Sequence, residues 1–195
     1  MAIGFNFRAT SGYVTDGAGE VYVLATDAYP TTRGGVTFGW ESTSGIAGAN
    51  RNSGIDQRLA GLCYWTRTAQ KTFRIDISAG TYNVTIAAGD AHPSVRHPAR
   101  VIAYDNTSEL SELFDVNNTT FGSHVDAVGD VYVNANWPGS NTPVELTFAT
   151  TACRFVMGAT SGTLDSNTSI THIALEEVGG GSLGRYRPIL MMGVG

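Results

Sequence analysis

The chain has 195 residues and carries a formal net charge of −5, with 12 Lys and Arg against 17 Asp and Glu. A chain of this length supports one domain, or one domain with a tail, and can bury roughly 70% of its unfolded surface in a core. Hydrophobic residues make up 42% and aromatics 10% of the sequence. That composition excludes a disordered chain, and the acidic balance argues against nucleic acid as a main partner, because phosphate binding needs concentrated positive charge.

The opening segment MAIGFNFRAT lacks a basic stretch followed by an apolar one. It is not read as a signal peptide, and the chain is expected to be made in a cytoplasm without a secretory address. No stretch approaches the ~20 apolar residues that cross a bilayer as a helix, so no membrane partner is expected. VYVLA, from Val21, reads as a short strand. Two turn-rich loops follow, DAYPTTRGG (27–35) and ESTSGIAGANRNSGIDQ (41–57). They carry Tyr29, Arg33 and Arg51.

The clearest alternation lies in TFRIDISAGTYNVTIAAGD. Phe73, Ile75 and Ile77 face one way and Arg74 and Asp76 the other, then Tyr82, Val84 and Ile86 alternate with Asn83 and Thr85. The intervening Ser78-Ala79-Gly80 predicts a tight turn with Gly80 at positive φ, hence a hairpin. The loop GDAHPSVRHP (89–98) brings Asp90, His92 and His97 close in sequence. Further strands are predicted from Ala99 (ARVIAYD), Asp130 (DVYVNA), Pro143 (PVELTFA), Cys153 (CRFVMGA) and Ile170 (ITHIALEEV). TSELSELF (107–114) is the one helix-like run, two turns at most. Short strands separated by turn chemistry predict an all-β, antiparallel two-sheet sandwich. Cys63 and Cys153 sit in apolar, strand-like settings that suit small buried hydrophobes, and a single bridge between them is also open.

Beyond Val178 the sequence reads GGGSLGRYRPILMMGVG. The sandwich is therefore expected over 1–178 and a separate tail over 179–195. A Gly-Ser run acts as a flexible connector. The apolar segment after it would leave Tyr186, Ile189, Leu190, Met191 and Met192 in water, beside Arg185, Arg187 and Pro188. Burial of such side chains is worth about 1.5–3 kcal/mol each before ordering costs, so the segment is expected to dock. It could fold back on its own domain, meet a sister copy, or add to the sheet edge of another protein.

The order FNFRATSGYV, TTRGGVTFGW, RNSGIDQRLAGLCYW, TFRIDISAGTYNVTIAAGD and ITHIALEEV is similar to that of the galactose-binding-like, malectin-like β-sandwich domains. Those domains open on a Phe-Asp-Phe-Gly strand and continue through a Gly-Tyr-Gly-Trp segment and an Arg-Asp pair. A Phe-x-Val-Asp-Leu-x-x-Gly-x-Tyr-x-Val stretch with Gly-Asp follows, and a Leu-x-x-x-Glu-Ile strand closes the pattern. The likeness spans about residues 5–178, with Asn6, Arg8 and Asn52 departing from it. It implies a jelly-roll sandwich and, for many members, carbohydrate binding.

A sugar site needs an exposed aromatic face and planar polar groups. The candidates are Tyr29, Arg33, Trp40, Trp65, His92 and Trp137. Trp40 and Trp65 border strands and equally suit core plugs. Trp137 lies in the turn NANWPGSN and suits an exposed stacking face or a structural cap. No nucleophile elbow, zinc-helix motif, phosphate loop or Cys-x-x-Cys is present. The expectation is a non-enzyme with no cofactor and no metal, in which Asp90, His92 and His97 are loop-forming residues. Similar lectin-like jelly rolls serve tailed bacteriophages as capsid decoration (cement) and fibre modules. The leading expectation is therefore a virion structural protein bound to capsid or tail subunits, or to itself, through residues 185–192. The alternative is a carbohydrate-binding module for host or plant or bacterial glycans.

Overall fold

The computed structural model describes residues 2–11, 19–51, 57–133, 142–159 and 167–179. In chain order the strands are β1 (Ala2–Arg8), β2 (Glu20–Leu24), β3 (Thr31–Arg33), β4 (Val36–Trp40) and β5 (Ala47–Asn50). After a single 3₁₀ turn at Gln57–Leu59 come β6 (Gly61–Thr66), β7 (Lys71–Asp76), β8 (Gly80–Gly89), β9 (Ala99–Asp105) and β10 (Ser108–Val116). The last six are β11 (Ser123–Val125), β12 (Val131–Val133), β13 (Val144–Phe148), β14 (Ala152–Gly158), β15 (Asn167–Ile170) and β16 (His172–Glu177). The fold is all-β, as the sequence predicts, and no α-helix occurs among the described residues.

Two large sheets face each other. One runs β12-β11-β8-β16-β1-β2, with β13 also on β8, and the other runs β10-β9-β14-β7-β4-β3. Pairing is antiparallel except for the parallel β1–β2 pair. A smaller sheet, β15-β6-β5, lies beside them. Aromatic rings from both large sheets interlock in the core. Phe5 and Phe7 of β1 meet Phe38 and Trp40 of β4 and Phe73 of β7 at centroid distances of 5.0–5.6 Å, mostly edge to face. That geometry adds about 0.5–1.5 kcal/mol per pair beyond area burial.

Two sequence expectations are corrected. The alternating strands β7 and β8 do not form a hairpin, because β7 pairs with β14 and β4, whereas β8 pairs with β16, β13 and β11. Residues 77–79 carry the chain from one sheet to the other, and Gly80 does not take positive φ. Alternation records only that one face is buried. It fits two strands side by side in one sheet, and equally two strands facing each other across a core. The tight hairpin of this region is β9–β10 instead, with Asn106 at φ 55 in its two-residue turn.

The helix-like run 107–114 is strand β10. Its register shifts between Glu109 and Ser111 and again between Glu112 and Phe114. Each irregularity inserts a residue, so Leu110, Leu113 and Phe114 acquire a spacing that mimics a helical stripe.

β1 is buried on both faces from Ile3 to Arg8. Its inner face carries the phenylalanines. Over its outer face lies the small sheet, so close that a Cβ on Gly61 would stand 2.7 Å from Phe7 O and from Arg8 Cγ. Only glycine fits there. Cys63 and Cys153 are both free and buried, on β6 and β14.

Candidate functional site

β8 runs the length of the sandwich, and its two ends differ in chemistry. At its C-terminal end, Gly89 presses against the chain beyond it. A Cβ on Gly89 would lie 2.3 Å from Ser123 O, and the Asp90 N–H donates to that same carbonyl at 3.2 Å. This close approach turns the Asp90 carboxylate inward, where it is fully buried.

Arg51, which follows β5, meets Asp90 as a fork. Its Nε donates to Oδ1 at 2.7 Å and its Nη2 to Oδ2 at 2.6 Å. The His92 N–H donates to Oδ1 at 2.8 Å. Burial alone would push the Asp90 carboxyl up. The Arg51 donors and the His92 N–H outweigh it and hold the group below the usual carboxylate range. The same pairing raises Arg51 above the ordinary guanidinium.

Beside this pair, the Ser169 hydroxyl donates to Gly89 O at 2.7 Å and lies 2.6 Å from His97 Nδ1. A carbonyl can only accept, so the Ser169 proton is committed to Gly89 and His97 Nδ1 carries its own. Asp90, Arg51, His97 and Ser169 thus tie the 89–98 loop to the chain after β5 and to β15. His92 itself is exposed, its Nδ1 accepting from Ser94 N–H at 3.2 Å. The two histidines share a loop in sequence, yet one faces solvent and the other lies inside.

Phe121, which sequence reasoning did not single out, is 51% exposed at this end. Arg96 lies over its ring at 4.6 Å from the centroid. The 89–98 loop is held against it through Gly122, whose N–H donates to Val95 O at 3.0 Å. An aromatic between Thr119-Thr120 and Gly122-Ser123, in a stretch too turn-rich to form a strand face, was the available signal.

The other sugar candidates do not converge here. Trp40 and Trp65 are buried and meet edge to face at 5.6 Å, their indole N–H groups donating to Leu24 O at 3.1 Å and Ala69 O at 3.0 Å. With both faces and both polar handles satisfied inside, they are core plugs, and their assignment to a sugar site is corrected. Arg33 is pinned by Asp27 through both of its terminal nitrogens and lies over the Tyr22 ring at 4.1 Å. Hydrogen bonding to Asp27 raises its pKa further. Tyr29 has Arg74 over its ring at 4.2 Å, and its hydroxyl donates to Asp76 at 2.8 Å. Burial and that hydrogen bond push the phenol up. Trp137 and the docking segment Arg185, Tyr186, Arg187, Pro188, Ile189, Leu190, Met191 and Met192 lie outside the described residues.

At the N-terminal end of β8 the two sheets leave an open slot. Ile3 and Tyr82 form one wall and Val36 and Ile77 the other, around a cavity of about 450 Å³ rimmed by Asp76 and Glu177. β16 runs antiparallel to β8, pairing His172 with Ala87 and Glu177 with Tyr82. β16 therefore ends at this end of the sandwich.

Among the described residues no group of three His, Cys, Asp or Glu is arranged to hold a metal ion. Asp126, buried, instead caps its own turn by accepting from the N–H groups of Val128, Asp130 and Thr142 at 2.9–3.0 Å. Among the same residues no helix is long and apolar enough to cross a membrane. No protein-family model matches the chain, and no curated protein is significantly similar to it.

Proposed function

We propose that the protein is a non-catalytic virion structural subunit, a capsid decoration or fibre module of the galactose-binding-like kind. It is attached through residues 185–192 and presents the loop end of its sandwich outward. One observation carries this reading: β16, after which residues 185–192 follow in sequence, ends at the Gly80 end of β8, while the loops holding His92 and Phe121 gather at the Gly89 end. Ten residues of strand, about 30 Å at ~3.3 Å each, separate the two ends. A module anchored by its tail would thus hold these loops away from the surface that bears it. The polar groups under the loops support the same reading, since Asp90 and Arg51 spend their hydrogen bonds on joining segments.

The test is deletion of everything after Val178. A folded protein that no longer enters particles supports the anchor, and unchanged incorporation refutes it. A second reading, carbohydrate binding, is favoured by Phe121, a half-exposed ring with Arg96 over its face. A glycan screen of the whole protein against Phe121→Ala tests it. Binding that survives the substitution, or no binding by the parent, removes Phe121 from that role.

A further inference from the structure

At the Gly80 end of β8 a slot opens between the two sheets at the edges of Ile3, Val36, Ile77 and Tyr82, and β16 ends beside it. Glu177 forms part of its rim, and the sequence runs on from Gly179 into GGSLGRYRPILMM. We infer that this slot receives residues 185–192 of the same chain, so that the attachment segment is parked on its own subunit until a partner takes it. This extends the reading above, in which the same segment is the anchor.

Size, charge and reach point to this occupant. A cavity of about 450 Å³ falls within the ~300–1,000 Å³ of sites that enclose a small ligand, room for a few side chains. Its walls are Ile3, Val36, Ile77 and Tyr82, which match Tyr186, Ile189 and Leu190 in character. The charged side chains that line it are carboxylates, Asp76 and Glu177. Arg74 bonds to Asp76 from outside the slot, Nε to Oδ1 at 3.1 Å, and each Asp76 oxygen keeps a further acceptor site. Segment 185–192 brings two guanidiniums, Arg185 and Arg187, on either side of Tyr186. A residue before proline favours extended backbone, so Arg187-Pro188 suits a chain laid across a slot rather than coiled above it.

Reach decides between the same chain and a second copy. Residues 179–184 span at most about 20 Å when extended, and they start beside the rim. A short tether gives an effective concentration in the millimolar range, above the protein concentration of most solutions. An apolar segment with an apolar slot at its root therefore fills its own slot first.

The test uses the full chain. Met192→Cys gives one accessible thiol for a nitroxide label, because Cys63 and Cys153 are buried. The amide signals of Gly35, Ser78 and Thr151 at the rim should weaken several-fold, and those of Ser94 and Ser123 at the far end should not. Leu190→Ser in the labelled chain should restore the rim signals. Labelled chain mixed with isotope-enriched, unlabelled chain should leave the enriched chain's rim signals intact. No selective weakening, persistence in the Leu190→Ser protein, or equal weakening across chains would each overturn the inference. Failure here leaves the anchor reading to be judged by particle incorporation, a separate measurement.

Discussion

Replacing Asp90 by Ala removes the acceptor of three hydrogen bonds, from Arg51 Nε at 2.7 Å, Arg51 Nη2 at 2.6 Å and the His92 N–H at 2.8 Å. Breaking a buried ion pair from one side costs about 3–5 kcal/mol, because the remaining charge is left desolvated. The Asp90 side chain is 0% exposed but Arg51 keeps 25%. Water can therefore reach part of the orphaned guanidinium, which places the loss near the lower bound, about 3 kcal/mol. In a domain of this size each kcal/mol moves Tm by about 2–4 °C, so a fall of roughly 6–12 °C is expected. Chemical denaturation of the parent, Asp90→Ala, Arg51→Ala and the double variant closes a cycle, whose coupling term should reach at least ~1 kcal/mol. The folded-state pKa of Asp90 is depressed, so its stabilisation is complete above the ordinary carboxylate value of about 3.9 and fades as pH falls through the lower folded-state value. Below pH ~4 the Asp90→Ala protein should thus lose stability less steeply than the parent. A loss under ~1 kcal/mol with additive single variants would refute the view that this pair ties the loop end together.

Trp40→Ala should cost about 3–5 kcal/mol, as for any large buried aromatic, whereas a surface stacking residue would change denaturation midpoints by the equivalent of only ~0.5 kcal/mol. Phe121→Ala, at a half-exposed ring, should stay within about 0.5 kcal/mol of the parent, and a larger loss would mean that the ring is a structural cap. Burial pushes the thiols of Cys63 and Cys153 well up. Neither should react with a disulfide reagent in native protein at pH 8, and both should react in denaturant; rapid native labelling would contradict the packing described. The Asp105 carboxyl is held down by the Thr150 hydroxyl and by the N–H groups of Ala149 and Thr150. Asp105→Ala should therefore lower stability most at neutral pH, with the difference from the parent shrinking below pH ~4, so that the acid limb flattens, as urea midpoints across that range would show.

The sandwich was legible because its signal is local. Phe73, Ile75, Tyr82, Val84 and Ile86 each report a buried face, and enough such runs in one chain admit few folds. Pairing was not legible, because β8 pairs with residues as far as 95 positions away, as Glu177 on Tyr82 shows. β10 misled for a related reason, since irregular register gives a strand a helical stripe. The loop end was half legible. Asp90, His92 and Arg51 stood out as polar residues in turns, but Arg51 and Asp90 are 39 positions apart, and nothing local joins a guanidinium to a carboxylate across that distance. Trp40 and Trp65 illustrate the opposite limit. A tryptophan at a strand end reads the same whether its ring faces solvent or core, and the chain that covers it decides.

The two ends of β8 should behave as separate sites. Between them lies an interlocked aromatic core whose residues are almost wholly buried, and such interiors repack in discrete steps rather than bending smoothly. Substitutions more than about 7–10 Å apart without shared partners add independently, and these ends lie some 30 Å apart along one strand. Loss of the Arg51–Asp90 pair should therefore loosen the 89–98 loop without releasing the segment after Gly179, and Leu190→Ser should release that segment without moving the midpoint cost of Asp90→Ala. If the two effects prove non-additive, the rod-like separation fails, and with it the argument that one end can hold the module while the other is left to vary.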